Sequence, residues 1–225
     1  MAKPKPWSHT ALDAFVNCPF AYHQKYVLKN VVVTETPEMT WGKRVHKDLE
    51  LRITEGKKLP LDLQEHEPFM AQLEGIGGVL NAEEKIALNT KLEPCGQWDA
   101  DVFYRGVVDA SVVTNDRALI IDYKTGKPHN KPQQLITFAL WTFAKYHFVN
   151  KVMASYYWTK TKDDTTFKYT REQVPELWDT LVPNLKQYKE AFKTDVWQKR
   201  PSGLCNGWCD VDKKHCEHWR PKRAR

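Results

Sequence analysis

No stretch of this 225-residue chain approaches the roughly 18–20 apolar residues of a membrane span. Its N-terminal MAKPKPWSHT has no apolar signal-peptide core. The expectation is a soluble, cytoplasmic protein with no membrane partner. Cysteine is scarce, and five thiols in an intracellular chain argue against a disulfide framework. No internal repeat is visible. What is present is 41% hydrophobic and 12% aromatic residues, enough to bury a core in one domain with at most a small extension. A net charge of +6 suits a polyanionic partner but does not require one. Part of the excess lies in Arg220, Lys222, Arg223 and Arg225, which a solvated tail explains equally well.

The chemistry concentrates in GVVDASVV (106–113) and ALIIDYK (118–124). Both are rich in β-branched residues, and Thr114, Asn115, Asp116 and Arg117 between them have turn chemistry. Pairing Val113 with Ala118 sets Asp109 opposite Asp122. Like charges in that position destabilise a sheet unless a cation lies between them, and a hard divalent ion with oxygen ligands is the expected one. Lys124 shares the face of Asp122, while Ile121 and Tyr123 point the other way.

Elsewhere, Ser8 is placed to cap a helix carrying Leu12, Phe15 and Val16, and Pro19 to open a second with Phe20, Tyr22 and Tyr26. Trp41, Val45, Leu49 and Ile53 recur every four residues, which predicts a helix over 40–55 ended by Gly56. His46 sits at the edge of that stripe. A further helix is expected near 66–74. A strand is expected from Ala82 with Ile86 and Leu88 on one face. Residues 133–148 read as a helix with Gln134 and Phe138 one turn apart. Residues 151–160 and 165–170 read as strands. The long helix from Arg171 contains Pro183, which should kink or split it.

The order GxxD…IIDYKTGK resembles the PD-(D/E)XK nuclease superfamily, within it the RecB-type branch that includes CRISPR-associated RecB-like and many phage exonucleases. SHTALDAFVNCPFAYHQKYV, Gly42-x-x-x-His46 and Gln134-x-x-x-Phe138 are similar to that branch's flanking motifs, with Phe138 in place of a tyrosine. The resemblance implies an α/β fold with a restriction-endonuclease-like core, a mixed central sheet flanked by helices, and a cysteine-bearing C-terminal segment. It would be one domain over 1–225. The core would cover about 40–160, with the helices of 8–28 packed on the segment 171–219. It implies that His46, Asp109, Asp122 and the Tyr123 backbone carbonyl hold Mg²⁺ or Mn²⁺. Lys124 and Gln134 would serve the attacking water or the phosphate. Glu84 is either a supporting acid or a solvent-facing one. Lys127 and Lys131 are candidates for contacts to DNA, single-stranded or at duplex ends. The implied activity is a metal-dependent deoxyribonuclease, first an exonuclease of recombination, repair or phage DNA processing in a bacterial or phage-infected cell. The alternatives are a sequence-specific endonuclease and a non-catalytic DNA-binding module.

Cys205, Cys209 and Cys216 lie close together in a Gly- and polar-rich segment, more suited to metal ligation than to disulfides. In iron–sulfur relatives three C-terminal cysteines act with one near the N-terminus, the place of Cys18. The resemblance therefore implies a [4Fe–4S] cluster on Cys18, Cys205, Cys209 and Cys216. Those relatives have a tight C-x-x-C pair that this chain lacks. A Zn²⁺ site with His215 or His218, and a site without metal, stay open.

Overall fold

A computed structural model describes residues 4–31 and 33–221; Lys222, Arg223 and Arg225 lie outside the described residues. The chain divides into two compact units, Thr36–Thr180 and Met1–Glu35 together with Leu181–Arg225.

The larger unit is built on a five-stranded mixed sheet, ordered β1-β2-β3-β4-β5. The strands are β1 (Val79–Asn89), β2 (Val102–Val113), β3 (Arg117–Lys124), β4 (Lys151–Trp158) and β5 (Asp163–Thr170). Neighbours run antiparallel except β3 and β4. That parallel pair requires a crossover, supplied by helix α5 (Gln133–Lys145). Helix α3 (Pro37–Thr54) packs against β1 and β2. It is capped by Thr36, whose hydroxyl accepts from Met39 N, and ends before Gly56, which takes the left-handed φ of +65°. Val45 and Leu49 of α3 are fully buried with Ala110, Ile121, Tyr123 and Tyr157 from the sheet and with Leu63, Met70 and Leu73. The last two belong to α4 (Glu67–Gly75). These elements give the α/β architecture, a mixed sheet flanked by helices.

In the smaller unit Ser8 caps α1 (His9–Asn17), its hydroxyl accepting from Ala11 N at 3.3 Å. Pro19 opens α2 (Pro19–Tyr22), which runs on as a π-helical turn, His23–Val27. Phe15 and Tyr22 pack edge-on with Tyr188, and the Tyr22 and Tyr188 hydroxyls lie 2.6 Å apart. Tyr188 belongs to α6 (Val174–Thr194), which contains Pro183 and is not split by it.

Two other boundaries differ from expectation. The helix expected to reach Phe148 ends at Lys145, and Tyr146 leaves the helical region at ψ 87°. The Arg171 side chain then donates to the carbonyls of Phe143, Tyr146 and Val149, taking up acceptors the helix end leaves free. The β4–β5 turn comes earlier than residues 162–164, because Lys162 adopts a left-handed φ of 60° just before β5 begins. Among the described residues no helix is long and apolar enough to cross a membrane.

Candidate active site

The β2–β3 hairpin has the expected register, with Val113 on Ala118 and Ala110 on Ile121. The ladder stops there, one pair short of the two aspartates. Beyond it the Asp109 side chain takes the backbone partner itself: Tyr123 N donates to Asp109 Oδ2 at 2.6 Å. The other oxygen, Oδ1, lies 3.2 Å from His46 Nδ1. Asp109 is 7% exposed and thus ties β3 to α3 at the point where the strands part.

A third ligand-bearing side chain joins them. Ligand atoms of His46, Glu83 and Asp109 all lie within 4.8 Å of one another, the spacing a single cation needs. Glu83 occupies β1 opposite Asp109, between the pairs Ala82–Ala110 and Glu84–Val108. Its φ of +49° is unusual for a side chain of its size and breaks the regular alternation of the strand. Glu84 is not part of this group. It shares the inner face of Ile86 and Leu88, and Lys145 Nζ of α5 donates to its carboxylate at 2.5 Å. The acid that joins His46 and Asp109 is therefore Glu83, which the sequence reading passed over. The signal was there: if Ile86 and Leu88 face inward, so does Glu84, and its neighbour faces the other way.

Asp122, Lys124 and Gln134 form a second cluster beside the first. Asp122 is 3% exposed. Gln134 Nε2 donates to Asp122 Oδ1 at 2.6 Å, and Lys124 Nζ donates to Gln134 Oε1 at 2.9 Å. Lys124 Nζ also lies 2.5 Å from Asp122 Oδ2, an ion contact without hydrogen-bond alignment. The ammonium stands 5.2 Å from the centre of the Tyr156 ring. Gln134 thus bridges the acid and the base. Phe138, one turn on, is packed in the core at 2% exposure. Lys127 and Lys131 are both exposed on the loop after Lys124.

Burial first, and charge crowding after it, shift the titration of these groups. Burial pushes Asp122 up to about 7; Lys124 opposes this shift and Asp109 adds to it. Burial raises Glu83, with Asp109 contributing. Burial would lower His46, but its hydrogen bond to Asp109 and that residue's charge outweigh it, and the imidazole is raised. All three hold a proton in the folded state above their ordinary range. Their contribution to stability is therefore present at low pH. It is lost as pH rises from the unfolded carboxylate range through about 7 and through the raised His46 value. We expect the metal-free protein to melt lower at pH 8 than at pH 6, with a smaller difference in Asp122→Asn. Mn²⁺ should raise Tm more at pH 8, since ligation needs the deprotonated groups. Melting curves in EDTA and in Mn²⁺ at both pH values check this; an unchanged pH difference in Asp122→Asn would contradict it.

The cysteines sit elsewhere. Cys18, Cys205, Cys209 and Cys216 all line one cavity of about 290 Å³ in the smaller unit, and all are free thiols. Burial raises the Cys209 thiol, and the nearby Cys18 and Cys205 add to the shift. Cys95 is a free thiol on the β1–β2 loop.

A sequence model of the PD-(D/E)XK nuclease superfamily matches residues 6–216. The chain belongs to this superfamily. It is thus a member of a group of nucleases, hydrolases of phosphodiesters that use divalent metals, and a nucleic acid is the implied substrate. No curated protein matches it. Among solved structures, one provisionally described as an exonuclease from Eubacterium rectale superimposes with a TM-score of 0.54 at 10% identity. That match covers 88% of this chain and 85% of the other. The structure of SSO0001 gives 0.48 at 13% identity, over 93% and 85%. At such identity the first likeness speaks for the fold, the restriction-endonuclease-like one. For this PD-(D/E)XK protein the matched span, residues 6–216, takes in both side-chain clusters described above.

Proposed function

We propose that this protein is a metal-dependent deoxyribonuclease of the RecB-type branch, acting first as an exonuclease. The observation that carries the reading is the meeting of two clusters across β2 and β3. One is a donor set of His46, Glu83 and Asp109 with the spacing of a cation site. The other is a buried Asp122 held against Lys124 by Gln134.

The donor set fits the metal that the superfamily uses. Two carboxylates and one imidazole are a mixed oxygen and nitrogen set that suits Mn²⁺ and accepts Mg²⁺. Asp122 and the Tyr123 carbonyl are the further proposed ligands. A cation held there supplies Lewis-acid charge against the scissile phosphate and acidifies water. The remaining work falls to the protein. Asp109, fixed by the Tyr123 amide and by His46, sets the position of the site. Lys124 orients the attacking water and offsets charge on the phosphate. Gln134 acts as a positioning residue, holding Lys124 and Asp122 in one geometry. Lys127 and Lys131 offer phosphate contacts along the strand. The exonuclease preference draws on the RecB-type motifs, Gly42-x-x-x-His46 on α3 and Gln134 on α5. Loss of end-labelled linear DNA with closed circular DNA spared would support it. Cutting of the circle would favour an endonuclease. Such a protein would work in the cytoplasm.

We further propose that the four cavity cysteines hold a [4Fe–4S] cluster. What supports the cluster is that Cys18 lines the same cavity as Cys205, Cys209 and Cys216, the one-plus-three arrangement of the iron–sulfur RecB-type relatives. His215, the alternative zinc ligand, has its Nδ1 2.9 Å from Asp212 Oδ1. Such a cluster would join Cys18 to the C-terminal segment as a structural clasp. Anaerobically purified protein should be brown, contain about four iron and four sulfide per chain, and lose both in Cys209→Ala. Colourless protein with stoichiometric zinc would overturn this part of the proposal.

A further inference from the structure

The largest exposed aromatic ring of the larger unit belongs to neither cluster. Trp98 lies on the 90–101 loop that joins β1 to β2 and is 84% exposed. The loop is ordered by its own bonds. Gln97 Nε2 donates to Gly106 O at 2.6 Å and Ile86 O at 3.3 Å. Gly96 N donates to Asp99 Oδ2 at 2.8 Å, and Cys95 N to Ala87 O at 3.3 Å. The well-tied loop thus holds the ring in a fixed place while leaving most of its surface open to solvent.

The position of the ring connects it to the metal-ligand group. The Arg105 guanidinium lies 5.3 Å from the centre of the Trp98 ring. Arg105, Val107 and Asp109 are alternate residues of β2, so they stand on one side of the hairpin. That side is open between them. Val107 is 38% exposed and its cross-strand partner Lys85 is exposed, whereas Ile86 and Val108, facing the other way, are fully buried. From the acid of the site outward the hairpin therefore presents Lys85 and Val107, then Arg105, then Trp98. Four residues of strand span about 13 Å. This is the length of about four phosphates at the duplex spacing of about 3.4 Å per strand, and of fewer in a stretched single strand.

We infer that the outer side of the β1–β2 hairpin is the track for single-stranded nucleic acid leaving the active site, with Trp98 stacking a base several nucleotides from the scissile bond. This rests on the nuclease reading above. Lys85 and Arg105 provide the phosphate contacts. The loop itself carries Lys91 against Glu93, Asp99 and Asp101. It is not a phosphate clamp, and its contribution is the face of the ring. Stacking tolerates any base, as a processive or sequence-independent nuclease requires.

The test is binding, which does not depend on cleavage. Fluorescein-labelled oligothymidylates of 3 and 12 nucleotides are titrated with wild type, Trp98→Ala, Trp98→Phe and Arg105→Ala in Ca²⁺. Trp98→Ala should weaken the 12-mer by on the order of tenfold, and Trp98→Phe should restore most of it. The 3-mer, too short to reach the ring, should bind all Trp98 variants alike. Arg105→Ala should lower the salt slope by about one. A ring with only a structural role would move Tm without this dependence on length. Equal binding of the 12-mer by wild type and Trp98→Ala, or no binding by wild type, overturns the inference. If binding depends on Trp98 but no DNA is cut in Mg²⁺ or Mn²⁺, the track stands and the hydrolase reading falls. If Trp98→Ala cuts and binds long strands like wild type, the reverse holds.

Discussion

Asp109→Asn is expected to lower DNA cleavage by on the order of 10³-fold, a loss typical of removing one charge-stabilising group from an active site. The substitution is nearly isosteric. The side-chain oxygen can still accept from Tyr123 N, so the join between β2 and β3 survives. What disappears is the negative charge that faces His46 and Glu83. His46 then loses the partner that raises its pKa, and the donor set loses one of its two carboxylates. The fold should persist, because Val45, Leu49, Ile121 and Tyr123 still fill the core beneath. Wild-type-like melting with lost cleavage is the expected pair of results. Residual activity near wild type would show that Asp109 only closes the hairpin.

The second large effect is a contrast between adjacent acids. Glu83→Gln should weaken Mn²⁺ binding by about tenfold to 100-fold and cut activity with it, whereas Glu84→Gln should leave Mn²⁺ affinity within about twofold. Glu83 lies with His46 and Asp109, while Glu84 lies against Lys145 on the inner face. Glu84→Gln should instead cost modest stability, about 1 kcal/mol, since it uncouples a partly buried ion pair. Calorimetric titration of the two variants with Mn²⁺ separates them. Equal losses would mean that the strand can present either acid.

This contrast also marks the limit of what the sequence made legible. The hairpin, its register and the shared face of Asp122 and Lys124 could be read from β-branched runs, turn residues and alternation. The helix bearing His46 could be read from its four-residue period. The choice between Glu83 and Glu84 depended on which face of β1 met α5, and on a left-handed residue inside a strand. The first could be read from the inward Ile86 and Leu88; the second has no local signal in AEEK. The early end of the ladder was equally hidden, because it follows from a carboxylate replacing a backbone acceptor. Gln134 was legible as a site residue by resemblance, but not its clamp on both Asp122 and Lys124, which needs the crossover to bring α5 over β3. The fourfold meeting of the cysteines in one cavity depends on the chain ends belonging to one unit, which no spacing within either end encodes.

The most direct test of the central claim is digestion of end-labelled linear DNA in Mg²⁺ or Mn²⁺ by wild type and Lys124→Ala, beside an EDTA control. The account predicts metal-dependent cleavage by wild type, reduced by on the order of 10²–10³-fold in the variant, with DNA binding retained. Cleavage that persists in EDTA, or that Lys124→Ala performs as well as wild type, would contradict it.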